Sequence, residues 1–89
     1  MINLKEMSKE QLQEWVIDLL ADMFELDKNG LGAGSSLYDD LDIDSIDAVD
    51  LAVRLKELTG LRLQPDVFKT IRTIGDVVEA LTGKAEQAA

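Results

Sequence analysis

Cysteine and histidine are both absent, and together these absences remove most of the chemistry that a small protein performs with its own side chains. Without them there is no disulfide framework, no thiolate nucleophile, no thiolate or imidazole zinc site, no Ser-His-Asp triad and no imidazole acid/base pair. Any reactive group other than a carboxylate, a lysine or a hydroxyl has to be imported. Basic residues are scarce: nine Lys and Arg stand against eighteen Asp and Glu, giving a formal net charge of -9. A surface of that sign repels phosphate backbones and anionic bilayers, so nucleic acid and membrane insertion are poor expectations and basic protein faces are better ones. Long apolar runs are missing as well, none approaching the roughly 18 residues of a membrane span, and no opening stretch joins a basic region, an apolar run and a small-residue cleavage site. The expectation is a soluble cytoplasmic chain.

What is present is an 89-residue sequence that is 46% hydrophobic, enough for one core and too short for two. A chain of this size buries roughly 60 to 65% of its unfolded surface, so a large active-site cleft is not expected. Residues 1–7 read as a lead-in. Ser8 with Gln11 three places on makes an S-x-x-Q capping box. Leu12, Trp15, Val16, Leu19, Leu20, Met23 and Phe24 then follow helical spacing to about Leu26, with Glu10, Glu14, Asp18, Asp22 and Glu25 on a solvated outer face. From residue 27 to residue 43 no period survives, and Gly30, Gly32, Gly34, Ser35 and Ser36 disfavour regular structure. That is a long loop, of the kind that tends to be functional or partly mobile, with Leu31, Leu37, Tyr38, Leu41 and Ile43 available to pin it to a core.

Asp44 suits the cap of a helix from Ser45 to Thr59, Asp47 suits its first turn, and Gly60 suits a left-handed C-terminal cap with Leu61 packing back beyond it. An extended Leu61-Arg62-Leu63 leads to Pro65, which fits the first turn of a short helix turning Val67, Phe68 and Ile71 inward. Thr73 and Asp76 predict the start of a last helix, with Ile74, Val77, Val78 and Leu81 on one stripe and Gly83 after it. The fold class expected is all-α: a small bundle of three main helices plus one short one, with a long loop after the first. Residues 1–83 form one domain in this reading and residues 84–89 a flexible tail.

The helix from Ser45 carries the most information. At about 100° per residue its apolar side chains divide into two groups: Ala48, Leu51, Ala52, Leu55 and Leu58 on one face, and Ile46, Val49 and Val53 nearly opposite, bordered by Asp47, Asp50, Arg54 and Glu57. The first group suits a core. The second is an apolar patch inside a charged rim, the form of a binding surface, unless the helix is central and buried on both sides. Six acids and no base lie between Ser36 and Asp50, namely Asp39, Asp40, Asp42, Asp44, Asp47 and Asp50. They are either a plain solvated face or a docking site for basic partners. Asp40, Asp42 and Asp44 match the D-x-D-x-D opening of a calcium-binding EF-hand loop, but Ser45 and Leu51 stand where that motif needs Gly and a bidentate Glu, so no metal site is assigned.

Asp44-Ser45-Ile46, preceded by Leu41-Asp42-Ile43 and followed by Asp47-Ala48-Val49-Asp50-Leu51, resembles the acyl carrier protein family, whose D-S-L-type motif holds a serine that receives 4'-phosphopantetheine from coenzyme A. Helix order, acidity and length extend the resemblance over roughly residues 8–81. It implies that Ser45 carries the arm and that the acyl group rides on the arm's terminal thiol, which accounts for a chain lacking Cys and His. It further implies that Asp44, Ile46, Asp47, Val49, Asp50 and Val53 contact a phosphopantetheinyl transferase and acyl-processing enzymes with basic docking faces: ketosynthase, ketoreductase, dehydratase, acyltransferase or acyl-activating enzymes. Leu51, Ala52, Leu55, Leu63, Phe68 and Ile71 would line a core able to take up the acyl chain. The protein itself would be a non-catalytic monomer. Four positions depart from the family pattern: Asp42 stands where Gly is common, Ile46 where Leu is commoner, and Arg54 and Lys56 where primary fatty-acid carriers are more acidic. Those departures leave the modification reading intact and tell against exchange with a housekeeping fatty acid synthase, and the resemblance of the Ile43-Asp44-Ser45-Ile46-Asp47-Ala48-Val49-Asp50-Leu51 run implies a dedicated carrier for a specialised fatty-acid or polyketide-type pathway, such as aryl polyene synthesis. Two rivals stay open: a peptidyl or aminoacyl carrier, and an unmodified helical adaptor in which Ser45 is incidental.

Overall fold

The computed structural model describes residues 4–61 and 70–87, and among these described residues it has three α-helices and two single-turn 3₁₀ segments. Helix α1 spans Lys9–Phe24, α2 spans Ser45–Thr59 and α3 spans Ile74–Gln87, and no strand occurs among the described residues. The short helix expected after Pro65, with Val67 and Phe68, lies outside the described residues, as does Leu63.

Each helix starts where a side chain takes over the backbone N–H groups that a first turn leaves without partners. Ser8 Oγ accepts from Gln11 N at 3.1 Å while Gln11 Oε1 accepts from Ser8 N at 2.9 Å, the reciprocal box that opens α1. Asp44 and Asp47 exchange the same pair of bonds at α2, with Asp47 N donating to Asp44 Oδ1 at 2.9 Å. Helix α2 stops at Gly60, whose φ of 75° lies in the left-handed region that glycine enters without cost. The buried Thr59 hydroxyl donates to Leu55 O at 2.6 Å and accepts from Leu61 N at 3.1 Å, so its burial leaves no polar group unpaired.

Helix α3 starts on a doubled cap. Thr73 Oγ1 accepts from Asp76 N at 3.2 Å, and Asp76 Oδ2 accepts from both Thr73 N at 3.2 Å and Arg72 N at 3.0 Å. Those donors, the Arg72 N–H first, hold the Asp76 carboxyl below its ordinary value of 3.8. A folded-state pKa below the unfolded one means stability that is complete above the unfolded value and is lost as pH falls through the folded one. Asp76→Asn should therefore melt below the parent chain at neutral pH, and the gap should narrow once the pH drops below about 4. Thermal melts of both chains across an acid series measure it, and a gap that stays constant through that range would count against the cap.

Gly83 predicts the end of α3, with a flexible tail from Lys84. The backbone instead stays helical through Gly83 to Gln87. An interior glycine costs a helix about 1 kcal/mol and does not break it, and the residues after it, Ala85, Glu86 and Gln87, favour helix. Gly83 has no positive φ and nothing near its missing Cβ, so neither a cap nor a close contact calls for glycine there.

The core is one cluster drawn from all three helices and from the connections between them. Leu12, Val16, Ile17 and Leu20 come from α1, Ala48, Leu51, Ala52 and Leu55 from α2, and Ile74, Val77, Val78 and Leu81 from α3. Leu4, in the expected lead-in, is buried too. Lys9 and Glu79 form an exposed ion pair between α1 and α3. The loop before α2 adds Leu37, Leu41 and Ile43, and is fastened to the start of α3: Leu37 N donates to Arg72 O at 2.8 Å, Ile74 N to Ser35 O at 3.1 Å and Gly75 N to Ala33 O at 2.8 Å. A Cβ on Gly75 would stand 3.0 Å from Ala33 O, so a side chain here would have to push that carbonyl back by a few tenths of an ångström. Tyr38, expected to help pin the loop, is 40% exposed instead. The turn closed by Asp40 N and Leu41 N on Ser36 O turns Leu37 and Leu41 to the core and Tyr38 away from it.

Candidate functional site

Ser45 is the first residue of α2 and is exposed. The chain has four serines, and the other three have hydroxyls engaged locally: Ser8 caps α1, Ser35 Oγ accepts from Gly32 N at 2.9 Å, and Ser36 Oγ accepts from Asp39 N at 3.2 Å. Among the described residues no hydrogen bond uses the Ser45 hydroxyl, nor the backbone N–H of Ser45 or Ile46. The Asp44–Asp47 cap takes only the third N–H of the turn. A free hydroxyl thus stands on a helix end with spare donors and a favourable dipole, an arrangement suited to a phosphate ester. The fit to a phosphate-linked arm is good on this chemistry.

Around that point α2 divides as its periodicity predicts. Ile46 is 71% exposed, Val49 49% and Val53 52%, whereas Leu51 and Leu55 are fully buried and Ala48 and Ala52 nearly so. The helix is not buried on both sides. Leu58, grouped with the core face by its spacing, is only half-buried, because it falls at the edge of the buried arc. Asp44 and Asp50 are exposed beside the patch, and Asp47 is half-buried with its carboxylate turned back onto Asp44 N. Of the residues assigned to an acyl pocket, Leu51, Ala52, Leu55 and Ile71 join the buried core, while Leu63 and Phe68 fall outside the described residues. The acids of the loop do not converge on a point: Asp40 Oδ2 accepts from Ser36 N at 2.7 Å, and Asp44 is committed to its cap.

Two features of the site escape a residue-by-residue reading of the sequence. Asp42 has a φ of 55°, a left-handed conformation that L residues enter at a cost and that Asp tolerates better than most. This is a geometry that glycine satisfies freely, and it bends the chain sharply two residues before the α2 cap. The second is a shallow depression of about 270 Å³ lined by Met23 of α1 with Asp50, Val53, Arg54 and Glu57 of α2. Met23 sits on the apolar stripe of α1 and is half-buried, so the apolar face of α2 continues onto the end of another helix.

Residues 14–81 match the family model described as a phosphopantetheine attachment site. The chain is 40% identical over 75 residues to acyl carrier protein 2 of Ralstonia nicotianae, covering 84% of this chain and 93% of that protein. It is 38% identical over 72 residues to the acyl carrier protein of Lactobacillus acidophilus, covering 81% and 90% respectively. With the acyl carrier protein of Tropheryma whipplei it shares 32% over 73 residues, 82% of this chain and 89% of the relative.

Proposed function

We propose a role for each residue of this face from one premise: the chain belongs to the acyl carrier protein family, whose phosphopantetheine attachment domain bears 4'-phosphopantetheine. In our reading Ser45 is the attachment residue. The single observation that carries it is that Ser45 alone among the four serines offers an exposed hydroxyl free of hydrogen bonds at a helix start. Its oxygen would attack the pantetheine-side phosphorus of coenzyme A, breaking the pyrophosphate P–O bond and releasing adenosine 3',5'-bisphosphate, and the spare N–H groups of Ser45 and Ile46 with the α2 dipole suit the phosphodiester's charge. The chain has no histidine, and Asp44 Oδ1 and Asp47 Oδ2 are turned to backbone N–H groups of the cap, so in this reading the base that removes the hydroxyl proton belongs to the transferase.

When bound, the arm supplies a terminal thiol that carries the acyl group as a thioester. The chain's own contribution is presentation. Ile46, Val49 and Val53 give an apolar centre and Asp44, Asp47 and Asp50 an anionic rim, a surface complementary to basic docking faces on a phosphopantetheinyl transferase and on ketosynthase-, ketoreductase-, dehydratase- or acyltransferase-type enzymes. The relatives bear the name acyl carrier protein, which supports acyl rather than aminoacyl loading. The pathway is fatty-acid or polyketide-type synthesis, with Leu51, Ala52, Leu55 and Ile71 on the core side available to an acyl chain. A cytoplasmic site goes with this reading, because coenzyme A, the donor of the arm, is available there. Among the described residues no helix is long and apolar enough to cross a membrane.

The test is incubation with coenzyme A and a broad-specificity transferase, followed by intact mass. One arm per chain is expected. No uptake under conditions that load a control carrier would favour an unmodified adaptor instead.

A further inference from the structure

We propose that Arg54 sets partner choice: the enzyme face this carrier serves is basic opposite Asp47 and Asp50 but presents a carboxylate to Arg54, and a uniformly basic face is bound less tightly. The inference rests on the reading of α2 as the docking helix and names the charge pattern of its partner. At about 100° per residue, Asp47, Asp50, Arg54 and Glu57 fall within an arc of about 80° along one border of the Ile46/Val49/Val53 patch. One cation therefore interrupts an otherwise anionic border on a chain of net charge -9.

The guanidinium is not used up within the fold. Its Nη1 lies 3.9 Å from Glu57 Oε2, at the outer edge of an ion pair, with the two side chains 53% and 61% exposed. An exposed pair of that geometry contributes little and leaves the planar donor fork available to another molecule. Arg54 also lines the depression of about 270 Å³ in which Met23 and Val53 offer apolar contact and Asp50 and Glu57 offer carboxylates. A lysine or arginine set opposite Arg54 would be repelled, increasingly so as water leaves the contact. A carboxylate there would accept two parallel hydrogen bonds.

The probe is a β-ketoacyl synthase of primary fatty-acid synthesis whose docking face carries only lysines and arginines. Its Kd is measured by calorimetry against the arm-bearing chain, Arg54→Gln and Arg54→Glu, with melting temperature and intact mass taken on the same samples. Kd should fall about threefold with Arg54→Gln and about tenfold with Arg54→Glu, and the differences should shrink at high salt. Reversing the synthase residue that faces Arg54 to glutamate should invert the order, with the parent chain binding tightest. Equal Kd values for the three chains overturn the proposal, as does weaker binding by Arg54→Glu. A shifted melting temperature with Kd unmoved assigns Arg54 to helix stability and overturns it too. Failure of the parent chain to take up an arm sinks both this proposal and the carrier reading, whereas normal loading with equal Kd values sinks this one alone.

Discussion

Ser45→Ala should fold with the stability of the parent chain and gain no mass from coenzyme A. The first half follows from what the hydroxyl does in the fold: among the described residues it makes no hydrogen bond, it is exposed, and the cap of α2 is built by Asp44 and Asp47 without it. Alanine is a good residue at a first helical turn, so a change of less than about 0.5 kcal/mol is expected. The second half is all-or-none, because an ester needs the oxygen. Ser35→Ala and Ser36→Ala make the contrast. Each removes an acceptor from a backbone N–H of the long loop, that of Gly32 or that of Asp39, and each should lower the melting temperature while still loading one arm. Intact mass and thermal melts on the three variants separate the roles. An arm on Ser45→Ala, or its loss in Ser35→Ala or Ser36→Ala with the fold intact, would move the site.

The contrast among the serines also marks what a sequence can state about such a site. Local chemistry was legible: Ser8 with Gln11, Asp44 before Ser45, Thr73 with Asp76 and Gly60 each act through partners no more than four residues away, and each sits in the role its type suggests. The two faces of α2 were legible for the same reason, since helical geometry alone separates them. What depends on distant neighbours was not. On α1 the apolar arc from Trp15 round to Ile17 covers about 200°, more than one neighbour can bury. Packing against α3 and the loop selects Ile17 for the core and leaves Trp15 and Leu19 half-exposed, opposite to the order in which spacing ranks them. Tyr38 and Leu4 are of the same kind. Neither has a period to follow, and a single turn on Ser36 O sends one outward while the core takes the other in. Gly83 misleads because glycine ends a helix only where the backbone turns left-handed, a choice made by the residues beyond it.

Leu55→Ala should cost about 2 to 5 kcal/mol, a large part of what a small domain has, while Val53→Ala, two positions away, should cost under about 1 kcal/mol. Two steps along a helix turn the side chain by about 160°, from a fully buried position in the shared core to one that is 52% exposed. Truncating Leu55 leaves a cavity that a fixed backbone cannot close. Truncating Val53 removes a partly solvated side chain, and the better helix propensity of alanine offsets part of the loss. The order reverses for function in the proposed reading. Val53→Ala and Val49→Ala take apolar contact from the docking face and should slow arm transfer by the transferase severalfold, mainly through KM. The folded fraction of Leu55→Ala keeps that face and should load at the parent rate. Denaturant melts paired with transferase kinetics give both readouts on each variant. If Val53→Ala were to unfold as readily as Leu55→Ala and load as fast as the parent, the exposed stripe would be serving the fold, and the docking surface would have to lie elsewhere on the molecule.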